Sequence, residues 1–314
     1  MTQETKYTKE DLKTMQGWDL ERKIRVTQTR IMEWYIRFNG QVYVSFSGGK
    51  DSTVLLDLAR RIYPNIEAVF VDTGLEYPEI KEFVKSKGNV TILRPEKSFR
   101  QVIFEHGYPV ISKPVSHNVS IAKRLPEGKV AKNIMYNPNR TGLFNHYKWN
   151  FLIDAPFDVS DKCCDVMKKK PSKAYAKATG KYPILGTMAT ESKLRYSNWI
   201  RSGCNSFEGS NPTSQPMSFW TEQDVLQYLK EFDIPYCSVY GDIVEDEKGK
   251  LKTTGCNRTG CVFCGFGCHL ESEPNRFQRL KETHPKLHEY CLKPIDEGGL
   301  GMKEVLDYIG VKYE

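Results

Sequence analysis

Ser47-Gly-Gly-Lys-Asp-Ser52 places two glycines, an ammonium, a carboxylate and two hydroxyls in one short stretch. Glycines let backbone N–H groups come close to a ligand. If this bend opens a helix, free N–H donors, the positive helix end and Lys50 converge on one point, which makes an anion site. The expected anion is a phosphate or pyrophosphate. Asp51 adds a carboxylate suited to the Mg²⁺ that phosphate chemistry employs, with helix capping as its other reading. Soft chemistry gathers further along: Cys256-x4-Cys261-x2-Cys264 is tight enough to hold one centre, Cys268 follows closely, and Cys163-Cys164 form a pair. Thiolates suit an iron–sulfur cluster or zinc, and a four-cysteine zinc knuckle is the structural alternative. Cys204, Cys237 and Cys291 stand alone and read as buried apolar filler. A nine-cysteine chain without a secretory leader argues against a disulfide framework.

These groups need elements to position them. Val42, Val44 and Phe46 alternate as in a strand, with Ser45 near its end. After the glycines, Ser52 can cap a helix whose buried stripe is Leu55, Leu58, Ala59 and Ile62. Residues 66–71 read as a second strand, so 41–72 form one βαβ unit. That unit ends in Asp72-Thr73-Gly74, at the carboxyl end of a strand, where open α/β sheets bind ligands. Asp72 could alternatively cap the helix expected over 78–87, in which Pro78 suits the first turn. A third strand covers 90–93, whereas 95–160 is poorly patterned and reads as an excursion over the active face. Regularity returns with a helix over 171–179, a strand over 182–185 and the run from Gly186 to Arg195. Thr221-x-x-Asp224 resembles a capping box opening an amphipathic helix. Thr8 can cap a helical stretch over 8–38 with an apolar stripe of Leu20, Ile24, Val26, Ile31 and Trp34, serving as a sheet cover or an oligomer contact. Alternating strands and helices predict an α/β fold with a doubly wound, mostly parallel sheet. The expected divisions are a helical lead-in (1–40), a nucleotide-binding α/β domain (41–241) and a cysteine-rich tail (242–314).

The chain's 314 residues, 39% of them hydrophobic, can bury a substantial core. No apolar run approaches the roughly 20 residues of a membrane span. Residues 1–6 lack the apolar core of a secretory signal, so a cytoplasmic location is the default. The net charge is +7, with lysines gathered at 162, 168, 169, 170 and 173. Such a group is either a solvated face or a wall that attracts a polyanion, whether nucleotide or nucleic acid.

The bend fits neither the Walker pattern, since Val44 stands where a glycine is needed, nor GxGxxG. It resembles the PP-loop of ATP pyrophosphatases, which implies an adenine nucleotide alpha hydrolase-like fold and cleavage of ATP between its α and β phosphates. The Asp-Thr-Gly turn, Gly186 to Arg195, Ser214-Gln-Pro-Met-Ser-Phe-Trp-Thr-Glu-Gln-Asp224, Ile234-Pro-Tyr236 and Tyr240 are similar in order to phosphoadenylyl-sulfate reductases, over residues 41–268. Met188 stands where those reductases commonly carry arginine, and their Glu-Cys-Gly-x-His tail is missing. The intact loop is shared with ATP-cleaving members; DNA-phosphorothioation sulfurtransferases combine it with an iron–sulfur cluster and are the nearest in pattern.

The resemblance implies that Ser45, Ser47, Gly48, Gly49, Lys50, Asp51 and Ser52 hold the phosphates, while Asp72, Thr73 and Gly74 contact the nucleoside. It implies catalytic roles for Lys50, Asp51, Glu191 and Arg195, the last two facing the α-phosphate or acceptor unless they form a structural ion pair. Cys164, Cys256, Cys261 and Cys264 are the first choice for a [4Fe–4S] cluster, with Cys163 and Cys268 as alternates. The Cys163-Cys164 pair plus a distant C-x2-C also resembles adenylyl-sulfate reductases. The expected activity is ATP-dependent, AMP-forming sulfur transfer. The other readings are phosphosulfate reduction and a non-catalytic nucleotide- or nucleic-acid-binding component. Sulfur donor, electron donor, acceptor (nucleic acid among them) and homo-oligomer formation stay open.

Overall fold

The computed structural model describes residues 5–142, 145–209 and 211–314. Residues 1–4, on which part of the leader reading falls, lie outside this range. The chain forms two compact units, each discontinuous in sequence. The first takes Met1–Asp72, Tyr77–Leu93 and Ser172–Thr259; the second takes Thr73–Glu76, Arg94–Pro171 and Gly260–Glu314.

The first unit is built on a six-stranded sheet in the spatial order Val90–Leu93, Ala68–Val71, Val42–Ser45, Tyr182–Leu185, Thr213–Ser214 and Asn205–Ser206. All pairings are parallel except that of the two short strands at the edge. Val42 sits opposite Tyr182 and Val44 opposite Ile184, so these side chains share one face. The helix Leu20–Arg37 covers that face, with Phe38 just beyond its end stacking on Tyr182 at 3.8 Å. Tyr43 points the other way and meets Tyr175 of the helix Lys170–Thr179 edge-on at 5.3 Å. Helices on both faces make the sheet doubly wound, as the alternation of elements implies.

Three local outcomes differ from the sequence reading. The stretch 8–38 is two helices, Lys9–Gln16 and Leu20–Arg37, because Asp19 restarts the second by accepting the Arg22 N–H at 2.7 Å. Its buried stripe is Leu20, Lys23, Thr27, Ile31 and Trp34 rather than one through Ile24 and Val26. Lys23 belongs to it because its ammonium lies 2.7 Å from both Asp224 oxygens, and a buried charge is tolerated when paired. The strand expected from Ile66 begins at Ala68. The capping box at Thr221 and Asp224 forms as expected and opens the helix Glu222–Glu231.

The second unit contains the stretch that reads as irregular. Ser98 and Gln101 form a capping box at the head of the helix Phe99–His106, and Ser112 caps Lys113–Arg124. Val110–Ile111 pairs in parallel with Gly265–Phe266. The helices Arg276–Thr283, Pro285–Leu292 and Met302–Tyr308 follow, burying Phe277, Leu280, Met302 and Leu306. Among the described residues, no helix is long and apolar enough to cross a membrane.

Candidate active site

In the sheet of the first unit the chain runs outward from Val42–Ser45 to Val90–Leu93, then returns to place Tyr182–Leu185 on the opposite side of Val42–Ser45. The strand order therefore reverses between these two central strands, and the crevice at their carboxyl ends is where such sheets hold ligands. Two loops meet there. One is Phe46–Gly49; the other begins at Gly186, where a Cβ would come within 3.2 Å of the Asp51 carbonyl and the Ser52 Cα. Gly48 has φ +74°, and a Cβ on it would lie 2.9 Å from Ile80 and Val84, so glycine is required twice over.

The helix that follows begins at Lys50 with Gly49 as its N-cap, not at a cap supplied by Ser52. Ser52 instead braces the bend from inside: its hydroxyl donates to the Gly49 carbonyl at 2.9 Å and accepts the Ser47 N–H at 3.2 Å. The Ser47 hydroxyl accepts the Gly49 N–H at 3.3 Å, and the Thr53 hydroxyl donates to Gly49 at 2.9 Å. The bend is thus preorganised by its own hydroxyls.

Lys50 is 4% exposed. Its ammonium donates to the Asn257 carbonyl at 2.5 Å and pairs with Glu222 at 2.8 Å. Its N–H donates to the Tyr240 hydroxyl at 3.1 Å, which is also 2.7 Å from the Thr259 hydroxyl. Burial pushes Tyr240 up to about 12, so it stays a neutral phenol. Asp51 carries the opposite strain. Its Oδ1 is buried with no hydrogen-bond partner among the described residues. Burial, reinforced by Glu191 and Glu222 and opposed by Lys50 and Arg258, pushes its carboxyl up to about 6.

Glu191 and Arg195 form the ion pair their i,i+4 spacing permits, and Glu191 also accepts the Met188 N–H at 2.8 Å. Arg258 approaches Glu191 at 4.0 Å. Asp72 pairs with Lys81 at 2.9 Å; it does not cap the helix Pro78–Ser86, whose N-cap is Tyr77. Ser45 ends the central strand in register with Val69 and Leu185. Glu222, Asn257 and Thr259 went unnoticed in the sequence. Only the Thr221 capping box, which sets Glu222 at the first helical position, could have drawn attention to one of them.

The second unit holds Thr73 and Gly74. Thr73 donates to Glu76 through its N–H at 3.1 Å and its hydroxyl at 2.7 Å, and Gly74 takes φ +76°. The Val262 N–H donates to the Leu75 carbonyl at 2.8 Å, tying this turn to the C-x2-C loop. Lys168 lies 3.8 Å from Glu76 and hydrogen-bonds Cys261. Burial alone would lower Lys168, but Cys261 and Glu76 raise it on balance. Cys163 is buried and its thiol pushed up, first by burial and then by Cys261, Cys164 and Cys264, which places these four thiols in mutual electrostatic reach. Burial likewise raises Cys261, to about 11, and Cys264. Arg276 donates to the Cys264 carbonyl at 2.9 Å, and the Cys268 thiol donates to Gly265 at 3.1 Å. Of the four expected ligands, Cys164, Cys261 and Cys264 lie in this unit together with Cys163, whereas Cys256 belongs to the first unit. Among the described residues, no three His, Cys, Asp or Glu side chains converge as ligands of a single metal ion. Cys204, Cys237 and Cys291 are buried, as expected of filler.

The chain is similar to an uncharacterized protein of Methanocaldococcus jannaschii, with 25% identity over 281 residues, 85% of this chain and 51% of that protein. It therefore spans about half the length of that relative. It is 24% identical over 217 residues to the adenosine 5'-phosphosulfate reductase of Staphylococcus haemolyticus, covering 67% of this chain and 70% of that one. Among solved structures, the phosphate complex of phosphoadenylyl-sulfate reductase from Candida auris aligns with a TM-score of 0.41 and 15% identity, over 77% of this chain and 97% of that one. The phosphoadenosine phosphosulfate reductase domain matches residues 41–266, from the central strand through the second strand of the Val110–Phe266 pairing. The chain belongs to the phosphoadenosine phosphosulfate reductase domain family.

Proposed function

We propose that the chain binds ATP at Ser47–Ser52 and cleaves it between the α and β phosphates, releasing pyrophosphate and activating an acceptor for sulfur transfer with loss of AMP. The observation that carries this reading is Asp51, a buried carboxylate oxygen without a partner, on the first turn of the phosphate-loop helix. A chain that bound only a ready-made phosphosulfate would have no terminal pyrophosphate to hold at this bend. Asp51 fits a magnesium ligand, and Mg²⁺ would there neutralise charge on the leaving pyrophosphate. The N–H groups of the bend would hold that pyrophosphate. Lys50, freed from Asn257, would offset the charge developing on it, the preorganised stabilisation that usually dominates catalysis. Asp72 would contact the nucleoside, and the Glu191–Arg195 pair would face the α-phosphate or acceptor.

For the thiols we infer the set Cys163, Cys164, Cys261 and Cys264, which exchanges Cys256 for Cys163. These four soft donors share one unit beside the cations Lys168 and Arg276. Ligands of separate irons need not converge on one point as zinc ligands must, so a [4Fe–4S] cluster is the group these four thiolates would hold, and it would supply a redox-active, sulfur-handling centre. The same four-cysteine pattern, with the Staphylococcus relative, favours adenylyl-sulfate reduction as a second reading. Two measurements decide. With ATP and candidate acceptors the protein should release pyrophosphate and Lys50→Ala should not; an unaffected variant removes the ATP reading. A marked preference in binding for adenylyl sulfate over ATP would install the reductase reading in its place.

A further inference from the structure

The bend that should face an anion is covered by the protein's own chain. Cys256–Thr259 lies across it, bracketed by Gly255 and Gly260. Three contacts make the cover. The Asn257 carbonyl takes the Lys50 ammonium, the Tyr240 hydroxyl takes the Lys50 N–H, and the Thr259 hydroxyl bonds to Tyr240. A Cβ built on Gly49 would lie 3.2 Å from both the Thr259 and Tyr240 hydroxyls, so these oxygens stand where a phosphate oxygen would approach the bend.

We infer that Cys256–Thr259 is a strap that closes the phosphate site and must lift before a triphosphate binds; this rests on the assignment of Ser47–Ser52 as the phosphate bend. The strap is built to leave. Its backbone is held by the Cys256 N–H to Val239 at 3.0 Å and by the Thr253 hydroxyl to the Cys256 carbonyl at 3.0 Å. The Arg258 side chain is 72% exposed and lies 4.0 Å from Glu191. At its root, a Cβ on Gly255 would fall 2.4 Å from the Val239 carbonyl, so only glycine lets the strap lie this close. What holds Lys50 down is a neutral carbonyl and a half-exposed Glu222. A polyphosphate offers the Lys50 ammonium several anionic oxygens in place of one neutral carbonyl and one carboxylate, so the ligand can displace the strap by taking its lysine.

A closed site lowers apparent affinity by the fraction of molecules that are open. Tyr240→Phe and Thr259→Val each remove a hydroxyl that anchors the strap. Each should tighten ATP binding about fivefold, the worth of one ordinary hydrogen bond. Titration calorimetry with Mg·ATP reads this directly. Hydrogen exchange supplies the second readout: ATP should raise deuterium uptake at residues 255–259 of the wild type while slowing it at 47–52. ATP binding that leaves exchange at 255–259 unchanged, with both variants at wild-type affinity, would overturn the strap and leave the phosphate bend standing. No binding by the wild type or either variant would remove the phosphate bend, and the strap with it.

Discussion

Asp51 gives the most demanding test of the site. Burial is the main reason its carboxyl rises from 3.8 to about 6. Two units correspond to about 3 kcal/mol at 1.36 kcal/mol per unit, an upper figure for an exposed-to-buried carboxylate. The sign follows from linkage. Between pH 3.8 and about 6 the folded chain binds a proton at Asp51 that the unfolded chain has lost, so stability falls as pH rises through this window. Above it, the ionised carboxylate, whose Oδ1 has no hydrogen-bond partner among the described residues, destabilises the protein by the full amount. Asp51→Asn abolishes the titration but keeps the shape. Urea unfolding of wild type and variant at pH 4 and pH 7.5 should therefore show the variant gaining up to about 3 kcal/mol on the wild type between the two pH values. Groups remote from Asp51 titrate alike in both proteins and cancel, which leaves Asp51 and the Glu191 and Glu222 carboxylates coupled to it. Excess Mg²⁺ at pH 7.5 should stabilise the wild type by mass action and not the variant. An equal pH response in the two proteins would refute the burial argument, and equal Mg²⁺ responses would refute the metal role.

Three further outcomes are expected. Lys23→Met strands the Asp224 carboxylate in the interior and should cost about 3–5 kcal/mol in thermal unfolding; a loss below 1 kcal/mol would mean the pair is solvated. Gly48→Ala forces a Cβ into left-handed backbone and against Ile80 and Val84, so it should lose about 1–2 kcal/mol of stability together with ATP binding; unchanged calorimetry would show that the bend is not the phosphate site. Under anaerobic purification, Cys163→Ser should lower iron content while Cys256→Ser retains it; the reverse pattern would restore Cys256 to the ligand set.

Four of the six strands of the sheet and the bend are legible from local chemistry, whereas the two-residue edge strands Asn205–Ser206 and Thr213–Ser214 carry no pattern of their own. Val90–Leu93 and Tyr182–Leu185 stand at the bounds read from apolar alternation and flanking glycines. Gly48-Gly49-Lys50 announces a strand-to-helix anion turn at any reading. Residues 95–160 read as poorly patterned because part of their order comes from long-range partners: Val110–Ile111 pairs with Gly265–Phe266, more than 150 residues away. The helix Phe99–His106 did carry a signal, the Ser98–Gln101 box, which an unpatterned flank disguised.

The occupants of the bend were illegible for a related reason. Asn257 meets Lys50 through its backbone carbonyl, so its side-chain type left no trace in the sequence. Tyr240 is visible as a family residue, but that its hydroxyl takes the Lys50 N–H depends on a chain separation of 190 residues folding back. Sequence patterns therefore name the groups able to bind a phosphate and are silent on what those groups bind in its absence. That second set bears on affinity, because the contacts Lys50 makes with Asn257 and Glu222 must be exchanged for those with ATP. A variant that weakens only the strap's contacts should tighten ATP binding without touching a phosphate-binding group. Thr259→Val is such a change: it removes the hydroxyl that bonds to Tyr240 and leaves the Tyr240 hydroxyl on the Lys50 N–H in place.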